Sequence, residues 1–391
     1  MPLKIENKLM KNTLQTDNNG KINLINFTLK DMIACFLDID EKPFHARQVF
    51  KWIHQKGELD FNRMSDLSKP LRTKLDKIAE LRLPQVVLSK PSEDGTHKWL
   101  LQVAGGNCIE TVYIPEKNRG TLCISSQVGC TLNCSFCSTG KQGFNRNLSV
   151  SEIIGQLWIA VRHLSGETGL HDRKISNVVM MGMGEPLMNF DQLVKALDIM
   201  LDDSAYGLSK RRVTVSTSGV VPRMYDLLEH SDVSLAVSLH APNDALRDVL
   251  VPINRKYKLE MLMEACRVYA DKGPQKEITF EYTLIDGIND QLEHAKGLVH
   301  LLRKYQVPSK INLIPFNPYP GTAYRKPSNN RIHRFQQSLV AQGYIATIRK
   351  TRGDDIDAAC GQLVGAVQDK APDTLSENTK RIKNGTKKMD F

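Results

Sequence analysis

The sequence predicts an α/β protein: a partial (β/α)6-type barrel, preceded by a small N-terminal helical domain and a β-hairpin linker. Three observations lead there. Between residues 116 and 355, short β-branched runs alternate with helical stretches, the pattern of parallel β/α units. Residues 27–95 instead carry, in their first part, the apolar period of amphipathic helices. Over 96–115, two strand-like runs flank a Gly105-Gly106 turn. A chain of 391 residues exceeds one ordinary core, and an apolar content of 41% can bury a sizeable one.

Residues 1–26 read as a flexible leader, polar and without the apolar stretch of a secretion signal. Thr28 is placed to cap a first helix whose Leu29, Met32, Ile33, Phe36 and Leu37 share a face. A second helix follows Pro43 with Phe44, Val49, Phe50 and Ile53, and a third follows Pro70 with Leu71, Leu75 and Ile78. Lys42, Arg47, Lys51, Lys56, Arg63, Lys69, Arg72 and Lys74 interleave with them, which suits an RNA grip and equally a solvated helix face. The hairpin pairs HKWLLQV with CIETVYI. The core strands are expected at 121–127, 176–182, 211–218, 234–240, 277–285, 310–317 and 344–350. Six or seven such units suit an open or partial barrel, whose functional residues gather at the C-terminal ends of its strands. Residues 356–391 form a C-terminal segment that ends in a basic tail.

No apolar run is long enough to span a membrane, and no export signal is visible, so a cytoplasmic location is expected. Eight cysteines in such a compartment read as metal or catalytic groups rather than a disulfide framework. Lys and Arg number 53 against 43 for Asp and Glu, a net +10, which points to a polyanionic partner such as nucleic acid and also fits a merely basic enzyme.

The most informative motif is Cys130-x3-Cys134-x2-Cys137. Cysteine thiolates hold iron–sulfur clusters, and three ligands on a four-iron cubane leave one iron open to a small molecule. Zinc is the rival, but structural zinc wants four ligands, usually as two pairs, and no second close pair exists. At the end of the next strand stands Met181-Gly182-Met183-Gly184-Glu185-Pro186, where glycine lets backbone approach a ligand and a carboxylate can accept from an ammonium. Later strand ends offer Ser216, then Ser238-Leu239-His240, then Asn317. Their polar side chains can hold ribose hydroxyls, a carboxylate and adenine; singly, each also fits a strand-end cap. Cys123 and Cys360 fit small buried hydrophobes as well as chemical roles, and Cys35 and Cys266 read as packing residues.

The cysteine loop, with the aromatic Phe136 before its third cysteine, resembles the radical SAM superfamily over residues 116–355. That resemblance implies a 4Fe–4S cluster on Cys130, Cys134 and Cys137, and S-adenosylmethionine held by Gly184, Glu185, Ser216, Ser238, Leu239, His240 and Asn317. The runs 127–140, 181–189 and 353–363 (Gly-Asp-Asp-Ile-Asp-Ala-Ala-Cys360-Gly-Gln-Leu) narrow the match to the RlmN/Cfr family of RNA adenine methyltransferases, on its RlmN side. Membership implies methylation of adenine C2 in 23S rRNA and tRNA. Cys360 is then methylated by a first S-adenosylmethionine. A second is cleaved to a 5′-deoxyadenosyl radical, which activates the S-methyl group for addition to C2. Cys123 resolves the RNA adduct as a disulfide, and Glu110 takes the C2 proton. One cluster per chain, two S-adenosylmethionine per turnover, an electron donor such as flavodoxin with its reductase, and a monomer are also implied. The alternatives are a Cfr-like C8 specificity, a methylthiotransferase, which would need a second cysteine trio, and a non-catalytic zinc-stabilised RNA-binding protein.

Overall fold

A computed structural model of the chain describes residues 20–165, 174–356, 358 and 361–363. Most of the expected leader, Cys360 and the basic tail lie outside the described residues.

The chain opens with β1 (Ile22–Asn23), then α1 (Leu29–Asp38), α2 (Pro43–His54) and α3 (Lys69–Ile78), and returns in β2 (Ala79–Glu80), which pairs with β1 in parallel. Thr28 caps α1 as expected. Its Oγ1 accepts the Asp31 N–H at 3.1 Å while the Asp31 carboxylate accepts the Thr28 N–H at 3.4 Å. Pro43 occupies the first turn of α2, and Ser68 caps α3 ahead of Pro70. The three helices turn Met32, Phe36, Val49, Phe50, Ile53, Leu71 and Leu75 inward. Each large apolar side chain so buried contributes about 1.5–3 kcal/mol.

Next come β3 (Gln85–Pro91), β4 (His97–Gln102), β5 (Cys108–Glu116) and β6 (Arg119–Cys123), an antiparallel meander. Then β7 (Gln127–Gly129) and β8 (Phe144–Asn147) form a small separate ribbon with α4 (Ser138–Gln142) between them. Alternation follows: α5 (Val150–Ser165), β9 (Asn177–Met180), α6 (Phe190–Leu201), β10 (Val213–Thr217), α7 (Val221–His230), β11 (Ser234–Ser238), α8 (Asp244–Leu250), α9 (Leu259–Lys272), β12 (Ile278–Leu284), α10 (Leu292–Tyr305), β13 (Ser309–Pro315), α11 (Asn329–Val340) and β14 (Ile345–Ile348). One ten-stranded sheet runs β14-β13-β12-β11-β10-β9-β6-β5-β4-β3, parallel from β6 to β14. Every expected core strand is present, and the hairpin is bonded edge to edge with them.

Two details differ from the expected strands. The run 121–127 leaves the sheet past Ile124, whose N–H still donates to the Val179 carbonyl at 3.0 Å, because the following backbone groups find other partners: Ser125 N–H donates to Gln156 Oε1 at 2.7 Å and Ser126 N–H to the Met183 carbonyl at 2.8 Å. The strand β3 was not anticipated. It is exposed along its length at the sheet's edge, where Lys90 and Pro91 discourage further pairing.

Register decides which residues face the site. Neighbours across strands point to one face. One row reads Val112, Cys123, Val179, Thr214, Ser234; another reads Ser238, Glu281, Asn312, Thr347. Glu110 lies two residues from Val112 and Ser216 two from Thr214, so both share this face. The opposite face carries Leu122, Val178, Val213, Val215, Val237 and Phe280, all fully buried. The helical unit is pinned to the core: Trp158 Nε1 donates to the Ile53 carbonyl at 2.9 Å, Ser151 N–H to Asn26 Oδ1 at 2.8 Å, and Lys195 pairs with Asp31 at 3.0 Å. Among the described residues, no helix is long and apolar enough to cross a membrane.

Candidate active site

The C-terminal ends of the parallel strands surround a cavity of about 170 Å³. Nine of the thirteen expected site residues line it: Cys130, Cys134, Cys137, Gly184, Glu185, Ser216, Ser238, His240 and Asn317. The cysteine loop runs from β7 to α4, where Cys137 N–H donates to the Cys134 carbonyl at 3.2 Å. Burial pushes all three thiols up, Cys134 to about 12, and the neighbouring cysteines push Cys130 and Cys134 further. Such thiols hold protons until a cation displaces them, which is what a metal site does. Among the described residues, no three His, Cys, Asp or Glu side chains gather tightly enough to clasp a single ion. A cubane spreads its thiolates over separate corners, so it needs no such gathering. Three thiols of one loop, facing hydroxyls and an amide, fit a cluster that carries an amino-acid-bearing nucleoside on its open iron.

The glycine segment is shaped by contact. Gly184 has φ +96°, and a Cβ there would stand 2.5 Å from Gln127 Cβ. Only glycine meets both conditions. Glu185 is buried and pushed up to about 7 by that burial. Its oxygens already accept two backbone N–H groups, Ser218 at 2.8 Å and Leu187 at 3.2 Å. The carboxylate therefore ties the end of β9 to the end of β10. His240 has φ +57°, and its Nδ1 accepts the Thr283 N–H at 2.9 Å, so the other ring nitrogen carries the proton. Burial holds its pKa down at about 3, which keeps the ring neutral, and it packs edge-on against Phe136 at 4.6 Å.

The other expected residues lie elsewhere. Leu239 is fully buried, its N–H spent on the Glu281 carbonyl at 3.0 Å and its carbonyl on Arg247 Nε at 3.1 Å. Cys123 and Glu110 do not line this cavity but share the inner face of the sheet with it. Glu110 pairs with Lys98 at 3.1 Å, both nearly buried. Cys360 lies outside the described residues; Gly361, which follows it, lines the cavity. Cys35 and Cys266 are buried, with thiols pushed up by burial, Cys35 to about 11.

The sequence reading also missed Glu281, which lines the cavity, and Arg247, which lies behind its rim. Glu281 lines the cavity, pushed up by burial, with Asn312 Nδ2 donating to it at 2.9 Å. Its signal was available: Thr279, Glu281 and Thr283 alternate within an otherwise apolar strand. Arg247, wholly buried, donates to the Ser218 carbonyl at 2.7 Å, the Ser238 carbonyl at 2.9 Å and Asn254 Oδ1 at 2.9 Å. It staples the ends of β10 and β11, and its charge favours the Cys134 thiolate. Within DALRDVL it reads as an ordinary surface-helix arginine. A second, larger groove of about 1310 Å³ runs between the helical unit and the outer rim and contains none of the three loop cysteines.

Comparison with known proteins agrees with this geometry. The profile of the ribosomal RNA large subunit methyltransferase N-terminal domain matches residues 22–81, and that of the radical SAM superfamily matches residues 124–299. The dual-specificity RNA methyltransferase RlmN of Francisella tularensis subsp. novicida is 66% identical over 350 residues, covering 90% of this chain and 94% of its own. That of F. tularensis subsp. holarctica is 65% identical with the same coverage. A crystal structure of a radical SAM methyltransferase from Sphaerobacter thermophilus superposes with a TM-score of 0.82 at 41% identity, covering 87% of this chain and 98% of that one. The chain belongs to the RlmN family of radical SAM RNA methyltransferases.

Proposed function

We propose that this enzyme methylates C2 of an adenine in 23S rRNA and in tRNA through a methylated Cys360. Cys130, Cys134 and Cys137 hold one 4Fe–4S cluster, and Gly184, Glu185, Ser216, Ser238, His240 and Asn317 hold S-adenosylmethionine, two molecules per turnover. When bound, these groups supply one-electron cleavage of a sulfonium to a carbon radical. The chain's own residues do the rest. Adenine C2 is electron-poor and no nucleophile, so the methyl carbon must first be stored on sulfur. The Cys360 thiolate is suited to that displacement. Once the stored carbon is bonded to C2, the Cys123 thiolate attacks the Cys360 sulfur. An S–S bond forms and the S–CH2 bond breaks, its electrons passing to the methylene carbon, which takes a proton to become methyl. Glu110, held in place by Lys98 at 3.1 Å, accepts the C2 proton as the adduct gives up its one unpaired electron to the electron-transfer partner. Two electrons from an external reductant return the Cys123–Cys360 disulfide to thiols.

The observation that carries this reading is convergence: nine expected residues from five separate stretches of sequence line one cavity, and Gly361 lines it with them. The target base must leave its stack to reach such a depth, which favours a loop. A cytoplasmic monomer reduced by a flavodoxin-type donor completes the reading. The test is mass mapping of RNA after incubation with reduced, reconstituted enzyme and S-adenosylmethionine. Expected is 2-methyladenosine in both RNA classes; 8-methyladenosine or unmodified RNA overturns it.

A further inference from the structure

The sheet's two edge strands, β14 and β3, do not pair with each other, yet the chain leaving β14 crosses to the β3–β4 turn and fastens there. Asp94, on that turn, works in two directions. Its Oδ1 accepts the Thr96 N–H at 2.9 Å, which folds the turn itself. Its Oδ2 accepts the Gly353 N–H at 3.2 Å and faces Arg352 Nη1 at 3.6 Å, both beyond β14. Asp355 answers from the other side, its Oδ1 2.6 Å from Ser92 Oγ and its Oδ2 accepting the Glu93 N–H at 3.4 Å. The fit is close: Gly353 has φ +61°, and a Cβ on it would stand 2.8 Å from Ala358 Cβ and 3.0 Å from Thr96 Cγ2.

A second anchor follows at the cluster loop. Ser138 N–H donates to the Gly361 carbonyl at 2.9 Å, Thr139 Oγ1 to the Leu363 carbonyl at 2.6 Å, and Gln362 Nε2 to the Pro318 carbonyl at 2.9 Å. Gly361 and Leu363 line the cavity. The described parts of the strap, 352–356 and 361–363, are thus tied, the first to an exposed turn on the far sheet edge and the second to the helix that follows Cys137. Chain reach is at most about 3.3–3.6 Å per residue, so two fixed ends limit where anything between them can stand.

We propose that Asp94 is a positioning residue for the methyl relay: by holding Gly353, it sets how the strap presents Cys360 to the cavity. This rests on the carrier role proposed for Cys360. It assigns to an exposed hairpin turn a part in catalysis although it touches neither substrate nor cofactor.

The discriminating variant is Asp94→Asn. It keeps a carbonyl oxygen to fold the turn but removes the second acceptor and the charge. On reconstituted holoenzyme, three quantities are read: hydrogen exchange of peptides spanning 345–363, kcat and KM for RNA methylation, and iron content. Expected are faster exchange in the strap, kcat lower on the order of ten- to a hundredfold, KM for RNA within about twofold, and iron unchanged. Arg352→Lys, which keeps the charge opposite Asp94, is expected to retain near-normal kcat. Unchanged kcat in Asp94→Asn overturns the proposal, as does a lowered kcat with unchanged strap exchange. The two readings fail separately: Cys360→Ala that still methylates RNA removes the carrier role, while strap exchange in Asp94→Asn still reports whether the latch exists.

Discussion

The rim of the cluster cavity and the seam between α2 and the turn after α6 are both buried, yet they treat polar atoms in opposite ways. At the rim, Arg247 reaches four oxygen acceptors, Glu185 accepts two backbone N–H groups, and Gln127 bonds both the Glu185 N–H at 3.0 Å and Asn147 Oδ1 at 2.9 Å. At the seam, both ring nitrogens of His54 and the hydroxyl of Tyr206 are buried with no hydrogen-bond partner. The two rings stand 5.6 Å apart, and His54 packs edge-on to Phe50 at 4.6 Å. A buried polar atom left unpaired costs about 1–3 kcal/mol. Arg247, Glu185 and Gln127 avoid that cost, and so hold the rim's backbone in one geometry around the reacting groups. The seam only packs α2 against the rest of one continuous core, so its aromatic polar residues act as filler.

The sharpest way to break this contrast is at the rim's cysteines. Cys130→Ala is expected to lose iron and reduce methylation to background, as read by iron and sulfide analysis beside an RNA methylation assay. Cys360→Ala should also abolish methylation, but with iron near wild type; cluster loss in that variant would contradict the division of roles. Cys123→Ala should accumulate a covalent enzyme–RNA species on a denaturing gel, and normal turnover without that band would remove Cys123 from the relay.

Next in size is Arg247→Met. Three backbone carbonyls and Asn254 lose their donor, so unfolding free energy should fall by about 3–5 kcal/mol in denaturant melts of apoprotein. A change near zero would mean the staple is dispensable.

The smallest effect belongs to the seam. Burial lowers the His54 pKa from 6.5 to about 3, so the folded protein keeps this ring neutral while the unfolded chain protonates it below 6.5. Stability from this group is present at neutral pH and is lost as pH falls from 6.5 toward 3, by roughly 1–2 kcal/mol between pH 7 and 5. His54→Phe should raise stability at pH 7 by about 1 kcal/mol and flatten that acid slope in melts across pH. A steeper slope would show that the ring has a partner.

The contrast also marks what could be read from sequence. Thr28, Pro43 and Pro70 announce their helices because capping is local chemistry, and the β-branched core runs announce strands for the same reason. The cysteine trio and Gly184-Glu185 were legible because spacing within one loop carries the chemistry. Arg247 was not: its partners are the carbonyls of Ser218, Ser238 and Leu239, brought near only by strand order. The strand β3 was missed because no buried face marks it. Cys123 and Glu110 were named by resemblance alone, since their shared face depends on a register between distant segments. The double role of Glu185 was likewise invisible, because Ser218 approaches it only after β9 and β10 pair.

The central claim is that three thiolates from one loop leave one iron of a cubane open to S-adenosylmethionine. Electron paramagnetic resonance of the reduced, oxygen-free holoprotein, with and without that nucleotide, tests it most directly. About four irons per chain are expected, with a signal that changes when S-adenosylmethionine is added. A chain holding one zinc and no iron, or a cluster signal indifferent to the nucleotide, would contradict it.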